Sequence, residues 1–255
     1  MCSYKSGIIL KTGRVIIELD TDSHSGIIEK HKLREGVSES MPWANFVSVE
    51  CLPKKDLFSR DRSDWNFKLD EPTNVPTWFK EDEDHFKDLW FDEMFKVLSE
   101  KEKILNETGK WNGSLILYSG ATLDALESVA GDLILYPGAT LDAKKLESVA
   151  GGLYLYSGAT LDAKKLESVA GDLYLNSGAT LDAKKLESVG GDLILYSGAT
   201  LDAKKLESVA GDLHLNSGAT LDALESVGGG LYLNSGATLD AKKLSKVNGK
   251  PYKGG

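Results

Sequence analysis

The chain has 255 residues, 41% of them hydrophobic, with 26 glycines, 6 prolines and a formal net charge of −9. The acid excess falls on both sides of Asn112, which argues against sequence-independent binding to nucleic acid, because that needs clustered cations to displace counterions. No apolar run approaches the roughly 20 residues of a membrane span, no secretory h-region opens the chain, and Cys2 and Cys51 are too few for a disulfide framework, so a cytoplasmic protein is expected.

Residues 1–108 carry no repeat and read as a small α+β domain of order ββαββα. Residues 7–10 and 15–18 have strand composition and flank a turn at Lys11-Thr12-Gly13. Asp22 or Ser23 is placed to cap a helix that runs through Ile27, Ile28 and His31 and stops at Gly36. Residues 46–52 and 65–69 alternate as strands, and Pro72 and Pro76 punctuate a loop. From Glu83 to about Leu105, Phe86, Leu89, Trp90, Met94, Val97 and Leu98 recur at helical spacing. The acidic run from Glu81 to Asp84 suits the positive end of that helix dipole.

Chemistry in this half centres on Cys2. With Met1 removed, Cys2 offers a thiol beside an amine, and Lys5 and His24 are the residues that would activate it as a nucleophile. The bland alternative is a small residue that starts an edge strand, with His24 as a polar residue of the helix cap. His24 and His31 lie seven residues apart and His85 is distant, which is not the spacing of a zinc cluster. No metal and no cofactor are expected. The half lacks a phosphate-cradling glycine loop and a nucleophile elbow.

The segments Cys2-x-x-Lys5-Ser6-Gly7-Ile8-Ile9-Leu10, Asp22-Ser23-His24-Ser25 and Pro76-x-Trp78-Phe79 resemble an uncharacterised domain of bacteriophage and prophage proteins. That resemblance implies a phage or mobile-element origin, with the host cytoplasm as the compartment.

Residues 113–248 are a repeat, and residues 249–255 a C-terminal tail. Copies open at Gly113, Gly131, Gly151, Gly171, Gly191, Gly211 and Gly229, and the full ones are 20 residues long. In the copy opened by Gly171, alternation turns Leu173 and Leu175 inwards and Asp172, Tyr174 and Asn176 outwards. Leu181, Leu186 and Val189 complete five apolar anchors. A single copy cannot bury them, whereas stacked copies can, with one short strand per copy forming a parallel sheet along the stack. The copies opened by Gly113 and Gly211 lack the Lys-Lys pair of Lys184 and Lys185, which places that pair on a surface turn. The run Leu-Glu-Ser-Val-x-Gly-x-Leu-x-Leu, as in residues 186–195, resembles leucine-rich repeats and the related receptor L-domain repeats. The expected fold is therefore an α+β domain followed by a β-solenoid of seven leucine-rich-like turns.

Two outward rows vary while the rest of the repeat is nearly constant. The middle row is Ile116, Ile134, Tyr154, Tyr174, Ile194, His214 and Tyr232. The next is Tyr118, Tyr136, Tyr156, Asn176, Tyr196, Asn216 and Asn234, with Asp132, Asp172, Asp192 and Asp212 along the margin. Exposed Tyr and Ile in a contiguous strip mark contact surfaces, and flanking carboxylates favour a basic partner. The expected function is binding of a protein partner, or of a second copy of the chain, with inhibition of a host defence system as the use of a phage-encoded binder. An enzyme that uses Cys2 and a structural virion spacer are the alternatives.

Overall fold

A computed structural model describes residues 5–18, 23–33, 45–54, 57–70, 72–216, 219–234 and 236–251. The chain divides into two compact units, Met1–Ile104 and Leu105–Gly255.

The first unit is built on an antiparallel sheet of order β2-β1-β3-β4, from β1 (Lys5–Leu10), β2 (Val15–Ile16), β3 (Phe46–Pro53) and β4 (Trp65–Leu69). Gly13 makes the β1–β2 turn at φ +83°, a conformation that favours glycine. Helix α1 (His24–Lys30) is capped by Ser23, whose hydroxyl accepts from the Gly26 N–H at 3.3 Å. It stops at Lys30 with His31 as its C-cap; Gly36, the expected stop, lies outside the described residues. Its Ile27 and Ile28 pack on Ile8, Ile16 and Phe46. Alternation along β3 puts Ser48 and Glu50 on the same face as Phe46.

The opposite face belongs to the long helix α3 (Glu83–Thr108), which follows the short α2 (Thr77–Glu81). Residues 77–81 follow the loop that Pro72 and Pro76 punctuate. They form a helical turn because Pro76 has the fixed φ of −62° that suits a helix entry. Trp90 of α3 fills the room left by Gly7, where a Cβ would come within 2.9 Å of its ring. Phe67 meets the same ring edge-on at 6.2 Å. Gly109 closes α3 in the left-handed region, φ +67°, and its N–H bonds the Leu105 carbonyl at 2.8 Å.

The second unit is a β-solenoid of about seven turns, and each full turn has three strands where the sequence reading assigned one. In one turn they are Leu173–Leu175, Thr180–Asp182 and Ser188–Val189. Equivalent strands of successive turns pair in parallel, residue on equivalent residue, as in Leu173 on Leu193, Leu181 on Leu201 and Val189 on Val209. They build a seven-stranded Leu-x-Leu sheet, a five-stranded Thr-Leu-Asp sheet and a nine-stranded Ser-Val sheet, with a two-stranded piece from Ala219–Thr220 and Leu239–Asp240. The five predicted anchors of this turn are buried, and so are Ala179 and Ala183, which gives seven inward residues. The corner between the first two sheets is Gly178 at φ +72°, and Gly138, Gly158 and Gly198 hold the same position.

The two short turns absorb their deletion differently from the sequence expectation. Asp124 and Ala125 form the turn that Lys144 and Lys145 form elsewhere. The preceding strand slides, so that Ala121 pairs with Leu141 and Thr122 with Asp142. Leu123 then donates to Asp142 O as Ala143 does to Asp162 O. A leucine thus takes the buried place of an alanine, and Gly120 leaves the positive-φ region. The missing two residues come out of the glycine corner, while the lysine turn is rebuilt from the next two residues.

Two outcomes follow from this packing. Leu175→Ala opens a void in a fully buried column and is expected to cost about 2–5 kcal/mol, read by chemical denaturation. Deleting Lys184 and Lys185 should leave one cooperative thermal transition, because Leu181 has a natural precedent for sliding into the place of Ala183. A broad, non-cooperative melt would contradict that rearrangement.

Candidate functional site

The outward residues of the Leu-x-Leu sheet stand in two straight rows. Parallel pairing places Ile116, Ile134, Tyr154, Tyr174, Ile194, His214 and Tyr232 side by side, in that order. Two residues further on, Tyr136, Tyr156, Asn176, Tyr196, Asn216 and Asn234 each donate a backbone N–H to the turn before. In-register stacking brings the rings of neighbouring turns together. Tyr118 and Tyr136 lie 4.2 Å apart, Tyr136 and Tyr156 5.4 Å, Tyr154 and Tyr174 5.5 Å, and His214 and Tyr232 4.3 Å between ring centres. Asn234 donates to the side-chain oxygen of Asn216. Tyr156, Tyr196 and Tyr232 are the exposed tyrosines of the strip, at 41%, 37% and 49%.

Tyr154 and Tyr174 are only half-buried. The ring of Tyr154 lies over Gly152, where most turns carry an aspartate, and a Cβ there would meet it at 2.5 Å. Partial burial is the main cause that pushes the Tyr154 phenol above its ordinary pKa, followed by the carboxylates of Asp132 and Asp172. Burial does the same at Tyr174, with Asp172 and Asp192 adding to it. Both rings therefore present neutral hydroxyls at physiological pH.

The marginal aspartates are not simply surface charge. Oδ1 of Asp132 accepts the Gly152 N–H at 2.8 Å, and Asp172 the Asp192 N–H at 2.9 Å. Asp192 accepts from Asp212 at 2.7 Å and Asp212 from Gly230 at 2.6 Å. Glycine is required just ahead of each donating N–H. A Cβ on Gly191 would stand 2.1 Å from Asp172 Oδ1, and one on Gly211 2.2 Å from Asp192 Oδ1. Each carboxylate thus spends one oxygen on joining its turn to the next, and the second oxygen of Asp212 lies 3.6 Å from His214 Nε2.

The neighbouring sheet carries a second acidic column, which sequence reasoning missed. Lys144 sits 2.6 Å from Asp142, Lys164 reaches Asp162 at 2.8 Å and Asp182 at 3.8 Å, and Lys184 reaches Asp182 at 3.3 Å and Asp202 at 3.7 Å. These carboxylates hold the Lys144 and Lys164 ammonium groups above their usual pKa. The signal was present as Leu-Asp-Ala-Lys, since a lysine two residues after an aspartate can reach back across a tight turn.

Of the sequence-picked catalytic residues, Cys2 lies outside the described residues. Lys5 opens β1 opposite Cys51. His24 is buried, with Nε2 3.0 Å from the Val49 carbonyl oxygen and Nδ1 3.2 Å from Asp70 Oδ2. Glu50 stands in the same cluster, and one ligand atom from each of His24, Glu50 and Asp70 lies within 4.8 Å of the others. His31 is occupied elsewhere. It and Lys30 contact Glu18 at 2.6 and 2.7 Å and hold that carboxyl below its ordinary range. Glu50 and Asp70 escaped the sequence reading because they are distant from His24 in the chain and meet it only through the pairing of β3 with β4.

Cys51 is fully buried, and burial raises its thiol to about 12. It is therefore neutral at pH 7 and a poor nucleophile. Iodoacetamide at neutral pH is expected to leave Cys51 unmodified in the folded protein and to alkylate it fully in denaturant, as read by peptide mass spectrometry. No protein-family model, no curated protein and no solved structure matches the chain.

Proposed function

We propose that this is a macromolecule-binding protein whose contact surface is the strip of tyrosine, isoleucine and histidine side chains on the Leu-x-Leu sheet. The observation that carries the reading is the in-register stacking of the rings. A tyrosine already leaning on its neighbour has lost rotamer freedom before a partner arrives, so less is lost on binding. Stacked rings also offer broad apolar area with hydroxyls at the rim, the composition that dominates protein interfaces.

The partner is a protein with a basic surface. The aspartate margin and the net charge of −9 favour encounter with a cationic face. The resemblance of residues 1–108 to phage and prophage proteins supports a bacterial host component as that partner, with suppression of a host defence as the consequence of binding. A second copy of the chain is the competing occupant, because a strip of self-similar rows also suits a symmetric contact.

Replacing Tyr154, Tyr156 and Tyr174 together by serine removes the centre of the strip without touching an inward residue. The expected result is a wild-type thermal midpoint with weakened capture of the partner from bacterial lysate, and weakened self-association in sedimentation if the partner is a second copy. Unchanged capture and unchanged sedimentation would show that the strip is idle surface and move the function to residues 1–108.

A further inference from the structure

We propose that His24, Glu50 and Asp70 form a binding site for a divalent metal ion, with zinc as the best-matched species. The argument begins with the proton on the imidazole. Nε2 of His24 lies 3.0 Å from the Val49 carbonyl oxygen, and a carbonyl only accepts, so Nε2 carries the hydrogen. In the neutral ring Nδ1 then holds a lone pair. That lone pair sits 3.2 Å from Asp70 Oδ2, which is also an acceptor. Two acceptors at that distance repel unless positive charge stands between or upon them. A metal cation held between the two atoms supplies such charge, and so does a second proton on the ring.

Four features favour the metal. First, a ring N–H fixed on a backbone carbonyl is the usual outer-shell arrangement of a metal-binding histidine, because it sets the tautomer and aims the other nitrogen. Second, the spacing fits. Ligand atoms about 2.0–2.1 Å from a tetrahedral zinc lie roughly 3.3 Å apart, close to the 3.2 Å between Nδ1 and Oδ2. Third, a second carboxylate, Glu50, falls within the same 4.8 Å cluster and offers a third donor atom. Fourth, each ligand is placed by backbone structure. His24 is the first residue of the Ser23-capped α1, Glu50 lies in β3 on the face that α1 covers, and Asp70 is anchored by its own N–H on the Ser48 carbonyl at 3.0 Å. Three convergent donors on three elements are pre-organised for an ion.

The coordination leaves room for water. Asp70 is half-exposed, with 47% of its side chain accessible, so solvent reaches the cluster from that side. Three protein ligands on a four-coordinate metal leave the fourth position to a water.

The test is zinc titration of the full chain at pH 7.5, stripped beforehand with a chelator, followed by calorimetry and by long-range proton–nitrogen NMR of the histidine rings. The expected result is one zinc per chain, with the Nδ1 resonance of His24 moving while Nε2 stays protonated. Glu50→Gln and Asp70→Asn, both at partly open positions that spare the fold, should each weaken binding by at least the roughly ten- to hundredfold that loss of even an outer-shell partner costs. His31→Gln and Cys2→Ser should bind like the wild type. The proposal is overturned if the wild type takes up no zinc and His24 is doubly protonated, which would make the cluster a plain ion pair. Loss of zinc in Cys2→Ser with retention in Asp70→Asn would overturn it as well.

Discussion

The solenoid depends on one constraint, which is that a turn cannot satisfy its own backbone. Strands of two or three residues have no partner within their turn, so each N–H and C=O must be met by the same position of the turn before or after. Identical positions are therefore stacked about 4.8 Å apart. Between neighbouring full turns an inward leucine lies on a leucine, an outward tyrosine on whatever the next copy offers, and an aspartate of the Thr-Leu-Asp sheet on an aspartate. The aromatic stacks, the asparagine pair and the charge columns are all products of this repeat of like upon like.

Stacking like charges is unfavourable, and the turn deals with it twice in different ways. In the column that contains Asp172, the next turn's N–H is drawn onto each carboxylate, so the repulsion is met by oriented backbone dipoles. In the column that contains Asp182, lysines reach between neighbours and screen them from outside. The first solution demands a glycine beside the donating N–H, whereas the second demands only a long flexible side chain. The difference explains why Gly191 and Gly211 recur without exception while the Lys-Lys turn is dispensable in two copies.

The repeat, its inward leucines and its outward rows were legible in the sequence because a period of two within a period of 20 leaves an unmistakable pattern. The three-strand cross-section was not. Strands such as Ser188–Val189 are too short to show alternation, and Ala179 and Ala183 give no hydrophobic signal although they are as buried as Leu181. The sliding of the short turns was hidden for a related reason, since aligning Asp124 with Asp142 preserves every identity and only backbone pairing reveals the shift. In the first unit, the order of strands and helices followed from composition and capping residues. The meeting of His24 with Glu50 and Asp70 did not, because it is fixed by strand register, a long-range quantity that single-sequence patterns do not encode.

Because every full turn ends in the register in which it began, the cross-section is blind to how many turns precede it. A chain with one 20-residue unit more or fewer would keep the same core, the same corner and the same ladders, and would differ only by about 4.8 Å of length and one rung on each face. Length is thus a quantity that this architecture can vary by duplication of a short stretch of coding sequence, with no new packing problem to solve. The aromatic strip is thereby graduated in single turns, and its extent is set by counting copies rather than by reshaping side chains.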